Sequence, residues 1–209
     1  GNGTGSGATF NKGITTVTLT ATNGCGGNAT CSFTVTVNDT EAPVLACPTT
    51  QTLTASPATC TASYTIADPI SDNCTGATWG YTLTGATTGA GSAIADGTGS
   101  GAISFNVGTT TVTLSGTDGT NAATGCSFTV TVNAPEINVQ GNSMSIADGD
   151  ATPGPDDDHT NFGSVIVGNN VVRTFTIENT GTAALTISGI TSSTSKFAIS
   201  NVPTSVAAM

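Results

Sequence analysis

The sequence predicts an all-β chain built from tandem β-sandwiches, and two observations carry that prediction. The octapeptide CSFTVTVN stands at Cys31 to Asn38 and again at Cys126 to Asn133, 95 residues later, a spacing of about one sandwich domain. Apolar residues also recur at every second position, in V-x-V-x and F-x-V-x-V runs that bury one face of a sheet. The repeat extends beyond the octapeptide. FNKGITTVTLTATNG from Phe10 aligns without a gap to FNVGTTTVTLSGTDG from Phe105, and GTGSGA precedes both. No stretch carries a convincing helical period.

Composition narrows the class further. The 209 residues hold only 8% charged side chains, a net charge of −10, and three cations, Lys12, Arg173 and Lys196. So few charges would suggest disorder in a chain without apolar patterning. Here the patterning is present, and abundant threonine suits the outward face because β-branching favours extended backbone. Three cations against thirteen acids make contact with nucleic acid repulsive. No run of 18 apolar residues occurs, so no membrane-spanning helix is expected. The six cysteines form no C-x-x-C pair, and there is a single histidine, which argues for disulfides and against zinc. Disulfides imply an oxidising compartment, and therefore an exported, extracellular protein of the cell surface.

Asn38-Asp39-Thr40-Glu41-Ala42-Pro43 and Asn133-Ala134-Pro135-Glu136 each end a V-x-V strand and bring in a proline, which cannot extend the ladder. They divide the chain into residues 1–38, the second half of a repeat; 39–133, a complete repeat; and 134–209, a different unit. The chain reads as an excerpt of a longer one. Both linkers are short, so neighbouring units should touch. In the middle unit, alternation places strands at Val44 to Cys47, Thr59 to Ile66, Ala77 to Leu83, Thr110 to Ser115 and Cys126 to Val132. Ala62, Tyr64 and Ile66 share one face, as do Trp79, Tyr81 and Leu83; Trp79 is the expected core aromatic. Pro57, Asp72-Asn73, the Gly85 to Gly101 stretch and Asp118-Gly119 mark turns. Some seven short strands at this spacing suggest an immunoglobulin-like sandwich.

These residues also carry a resemblance. Cys47-Pro48, the Asp72-Asn73 turn, FNVGTTTVTL from Phe105 and CSFTVTV from Cys126 resemble, in that order, the hyalin repeat or HYR domain. The middle unit departs from the usual T-A-T-D-x-x-G-N run, reading Ser115-Gly116-Thr117-Asp118-Gly119-Thr120-Asn121. In the third unit, PEINV from Pro135, FGSV from Phe162 and FTIENTG from Phe175 resemble the first part of an ASH or choice-of-anchor D-like domain, also immunoglobulin-like. Asn179-Thr180-Gly181 is the expected tight turn between FTIEN and ALTIS. The combination resembles large exported bacterial surface adhesins.

In a sandwich the first and last strands run side by side, and Cys47 and Cys126 each open one of them. This pairs Cys47 with Cys126, as the resemblance also implies, and leaves Cys60 with Cys74. Cys31 takes the place of Cys126 in the first unit, with its partner expected upstream. Cys25 either bonds Cys31 or pairs elsewhere.

Asp148, Asp150, Asp156, Asp157 and Asp158 bring five carboxylates into eleven residues, candidate ligands for a hard cation such as calcium. The spacing is not that of an EF-hand, and a solvated loop is the simpler expectation. Asp39 and Glu41 raise the same question at the first junction. His159 has no catalytic context around it. The Gly3 to Gly7 and Gly97 to Gly101 runs lack a following helix and an adjacent lysine, so they are hairpin loops and not phosphate cradles. Asn2, Asn28, Asn38 and Asn73 open N-x-T sequons, which matter only in a glycosylating pathway.

The expected function is structural: a non-catalytic stretch of a long exported adhesin or filament, with tandem disulfide-braced sandwiches as its stalk and no required cofactor. Its partners are the other domains of the same chain. A sandwich recognising a glycan or surface protein is the alternative, followed by spacer domains of a secreted enzyme. Incomplete end units also raise the idea of strand addition by another copy.

Overall fold

The computed structural model describes residues 7–150, 152 and 158–208. Among them every regular element is a strand. β1 (Gly13–Thr22) and β2 (Asn28–Val37) form an antiparallel hairpin. Asn23 closes its turn, the side-chain oxygen accepting the backbone N–H groups of Cys25 and Gly27.

The middle of the chain builds β3 (Val44–Leu45), β4 (Gln51–Thr54), β5 (Thr61–Thr65), β6 (Ile70–Ser71), β7 (Thr78–Gly85), β8 (Gly89–Ala95), β9 (Ala102–Asn106), β10 (Gly108–Thr117) and β11 (Cys126–Asn133). A five-stranded sheet in the order β4-β11-β10-β7-β8 packs against the pairs β5-β9 and β3-β6. β11 runs parallel to β4 and antiparallel to β10. The inward alternation is the one expected. Phe128, Val130 and Val132 of β11 and Val112 and Leu114 of β10 are buried, and they meet Ile66, Ile103 and Phe105 from the opposite layer. Full burial of a side chain of this kind contributes about 1.5–3 kcal/mol. Trp79 is 2% exposed, and its indole N–H donates to the Thr98 carbonyl at 3.1 Å. Leu83 is buried beside it, while Tyr64 and Tyr81 are half-buried against the same core.

The repeat in sequence is also a repeat in register. Val17 faces Phe33 as Val112 faces Phe128, and Leu19 faces Cys31 as Leu114 faces Cys126. The two hairpins differ in cover. Phe128 and Leu114 are 5% and 1% exposed under β5 and β9, whereas Phe33 and Leu19 stand 50% and 54% exposed.

Three expectations need correction here. The parallel partner of β11 is β4, not the segment from Val44 to Cys47, whose short β3 pairs with β6. Cys47 lies in the connection between β3 and β4. The Gly85 to Gly101 stretch is not only turn, because it contains β8, hydrogen-bonded along β7. Gly85, at φ +101°, ends β7 opposite Thr110. A Cβ there would stand 2.6 Å from the Thr109 carbonyl oxygen. Gly85→Ala is therefore expected to lower stability by about 1–2 kcal/mol, measurable by urea titration with an unchanged m-value.

Beyond residue 134, β12 (Ile137–Gly141), β13 (Met144–Ile146) and β14 (Phe175–Asn179) form a sheet in the order β13-β12-β14, and β15 (Leu185–Thr186) pairs with β16 (Ser205–Val206). Asn142 and Ser143 join β12 to β13 with φ of 51° and 64°, the left-handed pair that a two-residue hairpin turn requires. Asn179-Thr180-Gly181 does turn the chain, but β14 and β15 are not paired with each other. Asn179 is instead a buried clasp. Its oxygen accepts the N–H groups of Glu136 and Gly181, and its amide donates to the carbonyls of Ala183 and Val206. Among the described residues, the buried aliphatic and aromatic side chains of the core lie between Ala55 and Val132.

Candidate functional site

Two features gather at the end of the middle unit that meets the first: a disulfide clasp and an acidic cluster. The clasp joins Cys47 to Cys126, with Cα atoms 6.0 Å apart and 79 residues between them in sequence. Cys126 begins β11 and packs on the core, so the bridge ties the entering chain to the last strand of the sheet.

The remaining cysteines are free thiols, which corrects the expected Cys60–Cys74 pair. Cys60 follows the turn where Ala55 bonds Asn133 and Ser56 bonds Thr61, at the far end of β11. Cys74 lies beside Asp39 at the near end. Between them runs the length of β5, about 16 Å for five residues, against a Cα separation of at most about 7 Å in a disulfide. Exclusion from the first pair could not supply that distance. Cys31 sits opposite Leu19 on β2, and Cys25 lies in the hairpin turn, so these two are not bridged either.

The acidic cluster draws on three separate segments. Asp39 comes from the first junction, Asp72 from the turn after β6, and Asp118 from the turn after β10. One carboxylate oxygen from each lies within 4.8 Å of the others. Lys12, just before β1, reaches across to them. Its ammonium donates to Asp39 Oδ2 at 3.0 Å and to the Asp118 carbonyl at 3.4 Å, and stands 3.7 Å from Asp118 Oδ2. The side chains of Asp39 and Asp118 are 2% and 0% exposed. Asn121 ties the linker down, its amide donating to the Asp39 and Glu41 carbonyls and to Asp118 Oδ2. Asn73 donates to Glu41 Oε2 at 2.8 Å. The two units therefore touch, as short linkers require.

The electrostatics follow from these bonds. Hydrogen bonds from the backbone and side chain of Asn121 and the backbone of Thr120, with Lys12 adding its charge, hold Asp118 far below its ordinary 3.8. Asp39 is lowered chiefly by the Lys12 hydrogen bond, and Lys12 is raised above 10.5 by the same bond. The Asp39 carboxylate, with burial behind it, pushes the Cys74 thiol above 9.0. Asp72 has no such support. Both its oxygens are shielded from solvent, and neither has a hydrogen-bond partner.

The acidic loop from Asp148 to Asp158 is only partly described. Asp156 and Asp157 lie outside the described residues. Asp150 accepts from Thr152, and the buried Asp158 accepts the N–H and hydroxyl of Thr160, which lowers its pKa. Among the described residues, the carboxylates that converge are Asp39, Asp72 and Asp118, not those of this loop. Of the junction acids read from sequence, Asp39 joins the cluster, while Glu41 takes part through its backbone and Asn73. A shallow hollow lies along β7 and β8, with Gly80, Tyr81, Ala90 and Gly91 among its lining residues. No helix among the described residues is long and apolar enough to cross a membrane. No family model matches this chain, and no curated protein matches it.

Proposed function

We propose that this chain is a non-catalytic stretch of a long exported surface protein, in which tandem immunoglobulin-like sandwiches of HYR type form a stiff stalk. The observation that carries the reading is the repeated register: β1-β2 reproduces β10-β11 pair for pair at an offset of 95 residues. The strand order β4-β11-β10-β7-β8 facing β5-β9 fits an immunoglobulin-like sandwich, and the third unit is read as the opening of an ASH-like one. Two further features suit a load-bearing role. The Cys47–Cys126 bridge encloses most of the middle unit, and Lys12 and Asn121 hold the first junction against it. Within the middle unit Trp79 is buried and Tyr64 and Tyr81 pack on the core, so this sandwich presents no exposed aromatic platform of Trp or Tyr, and the exposed Phe33, Phe175 and Phe197 lie in the flanking units.

Force spectroscopy on the full chain in EDTA tests the proposal. With the bridge closed, about 16 residues of the middle unit can lengthen, releasing roughly 55 Å at ~3.5 Å per residue. After reduction the same unit should release roughly 330 Å. Equal lengths before and after reduction would leave the bridge bearing no load and remove the support for a braced stalk.

A further inference from the structure

We propose that the first junction binds one calcium ion, with Asp72, Asp39 and Asp118 as its carboxylate ligands. Asp72 is the reason. A buried anion in a folded protein is paired, hydrogen-bonded or bound to a metal, and both oxygens of this one are shielded and have no partner. Oxygens of two further carboxylates, Asp39 and Asp118, lie within 4.8 Å of one of its own. Like charges so close repel strongly when removed from water. Lys12 offsets one of the three negative charges, and a divalent ion offsets the other two.

The donor set suits calcium. It is carboxylate oxygen with no imidazole, and calcium takes such ligands at about 2.3–2.6 Å, so oxygens on opposite sides of it stand roughly 5 Å apart. The spread of the three oxygens falls within that span. Two of the ligands are already oriented. Thr120 and Asn121 N–H groups fix Asp118 Oδ1, and the Glu41 N–H fixes Asp39 Oδ1. Asp72 is free to offer both oxygens, and water completes the shell, as it does in many calcium sites. A hollow of about 150 Å³, bounded by Glu41, Val44, Asp72 and Asn73, lies beside it. The ligands come from the linker and from two loops of the middle unit, and Lys12 of the first unit closes the ring. The ion would therefore stiffen the hinge. The inference stands apart from the stalk reading, whose force test is run without calcium.

The test is a calorimetric titration of EDTA-treated full chain with calcium chloride, paired with thermal melts followed by Trp79 fluorescence. The expected result is one calcium per chain at this site, with Kd in the range of extracellular modules, about 10⁻⁴–10⁻³ M, and a melting temperature that rises with calcium. Asp72→Asn keeps the shape and removes the charge. It should weaken binding at least tenfold and abolish the calcium-dependent shift, yet melt no lower than wild type in EDTA. Asp118→Asn, should it fold less well, is replaced by Asp39→Asn as the second variant. The double variant Asp148→Asn, Asp150→Asn should bind like wild type. No heat and no shift up to 10-fold above that Kd range would overturn the proposal. So would binding that survives Asp72→Asn within twofold, or that is lost in the Asp148, Asp150 double variant, which would place the ion in the other loop.

Discussion

Trp79→Ala is expected to destabilise the middle unit by about 3–5 kcal/mol, the range for removing a large aromatic from a packed core. Trp79 is 2% exposed, faces Ile94 across to β8, and lies with its ring centroid 6.4 Å from that of Tyr81. Its removal opens a cavity between β7 and the opposite layer and strips the Thr98 carbonyl of its donor. For a domain near 100 residues, 1 kcal/mol corresponds to about 4–8 °C, so the melting temperature should fall by roughly 15–30 °C. Trp79→Phe is milder: it keeps part of the ring packing but loses the N–H and part of the indole volume, so about 1–3 kcal/mol is expected from it. Far-ultraviolet dichroism is the readout, because Trp79 is the single tryptophan of the chain. A loss below 1 kcal/mol in Trp79→Ala would mean that the core does not depend on this ring.

That dependence was legible in the sequence, and the reasons why other features were not are physical. β11 alternates Phe128, Val130 and Val132 with Ser and Thr, and the middle of β10 alternates Val112 and Leu114 with Thr and Ser, because one face of each is buried there. β8 reads Gly-Ala-Gly-Ser-Ala-Ile-Ala and looks like a loop. It is an edge strand, held by backbone bonds to β7, and its small residues are a consequence of packing: a Cβ on Gly91 would collide with the Tyr81 ring. β4, Gln-Thr-Leu-Thr, is the opposite edge and carries one apolar side chain. Edge strands need less hydrophobic surface than central ones, so periodicity finds them poorly.

The site shows the same division between local and tertiary information. Asp39 was visible as a junction acid, but Asp72 and Asp118 looked like ordinary turn residues. Nothing in their local context reveals that the fold brings residues 39, 72 and 118 to one point. The run from Asp148 to Asp158 is dense in sequence, and of its described acids Asp150 and Asp158 each spend an oxygen on the threonine two residues ahead. The Cys60–Cys74 pairing fails for a tertiary reason too, since counting the cysteines left over carries no information about the strand that lies between them.

The Cys47–Cys126 pair is the second large effect, and its origin differs from that of Trp79. Cys47 is exposed and Cys126 half-buried, so replacing both with serine removes little packing. What it removes is a constraint on the unfolded chain. Closing a loop of this length lowers the entropy of the unfolded state by an amount worth about 4 kcal/mol in the chain-entropy account. Cys47→Ser with Cys126→Ser should therefore lower the melting temperature by on the order of 20 °C. It should also raise the urea m-value, because an unbridged chain exposes more surface on unfolding. Trp79→Ala predicts the contrary pattern, a lower midpoint with the m-value unchanged. The free thiols supply the internal control: Cys60→Ser and Cys25→Ser, at exposed turn positions, should each move stability by no more than about 0.5 kcal/mol. A double-serine variant as stable as wild type would show that the folded contacts alone hold the unit together, and that the clasp matters only when the chain is pulled.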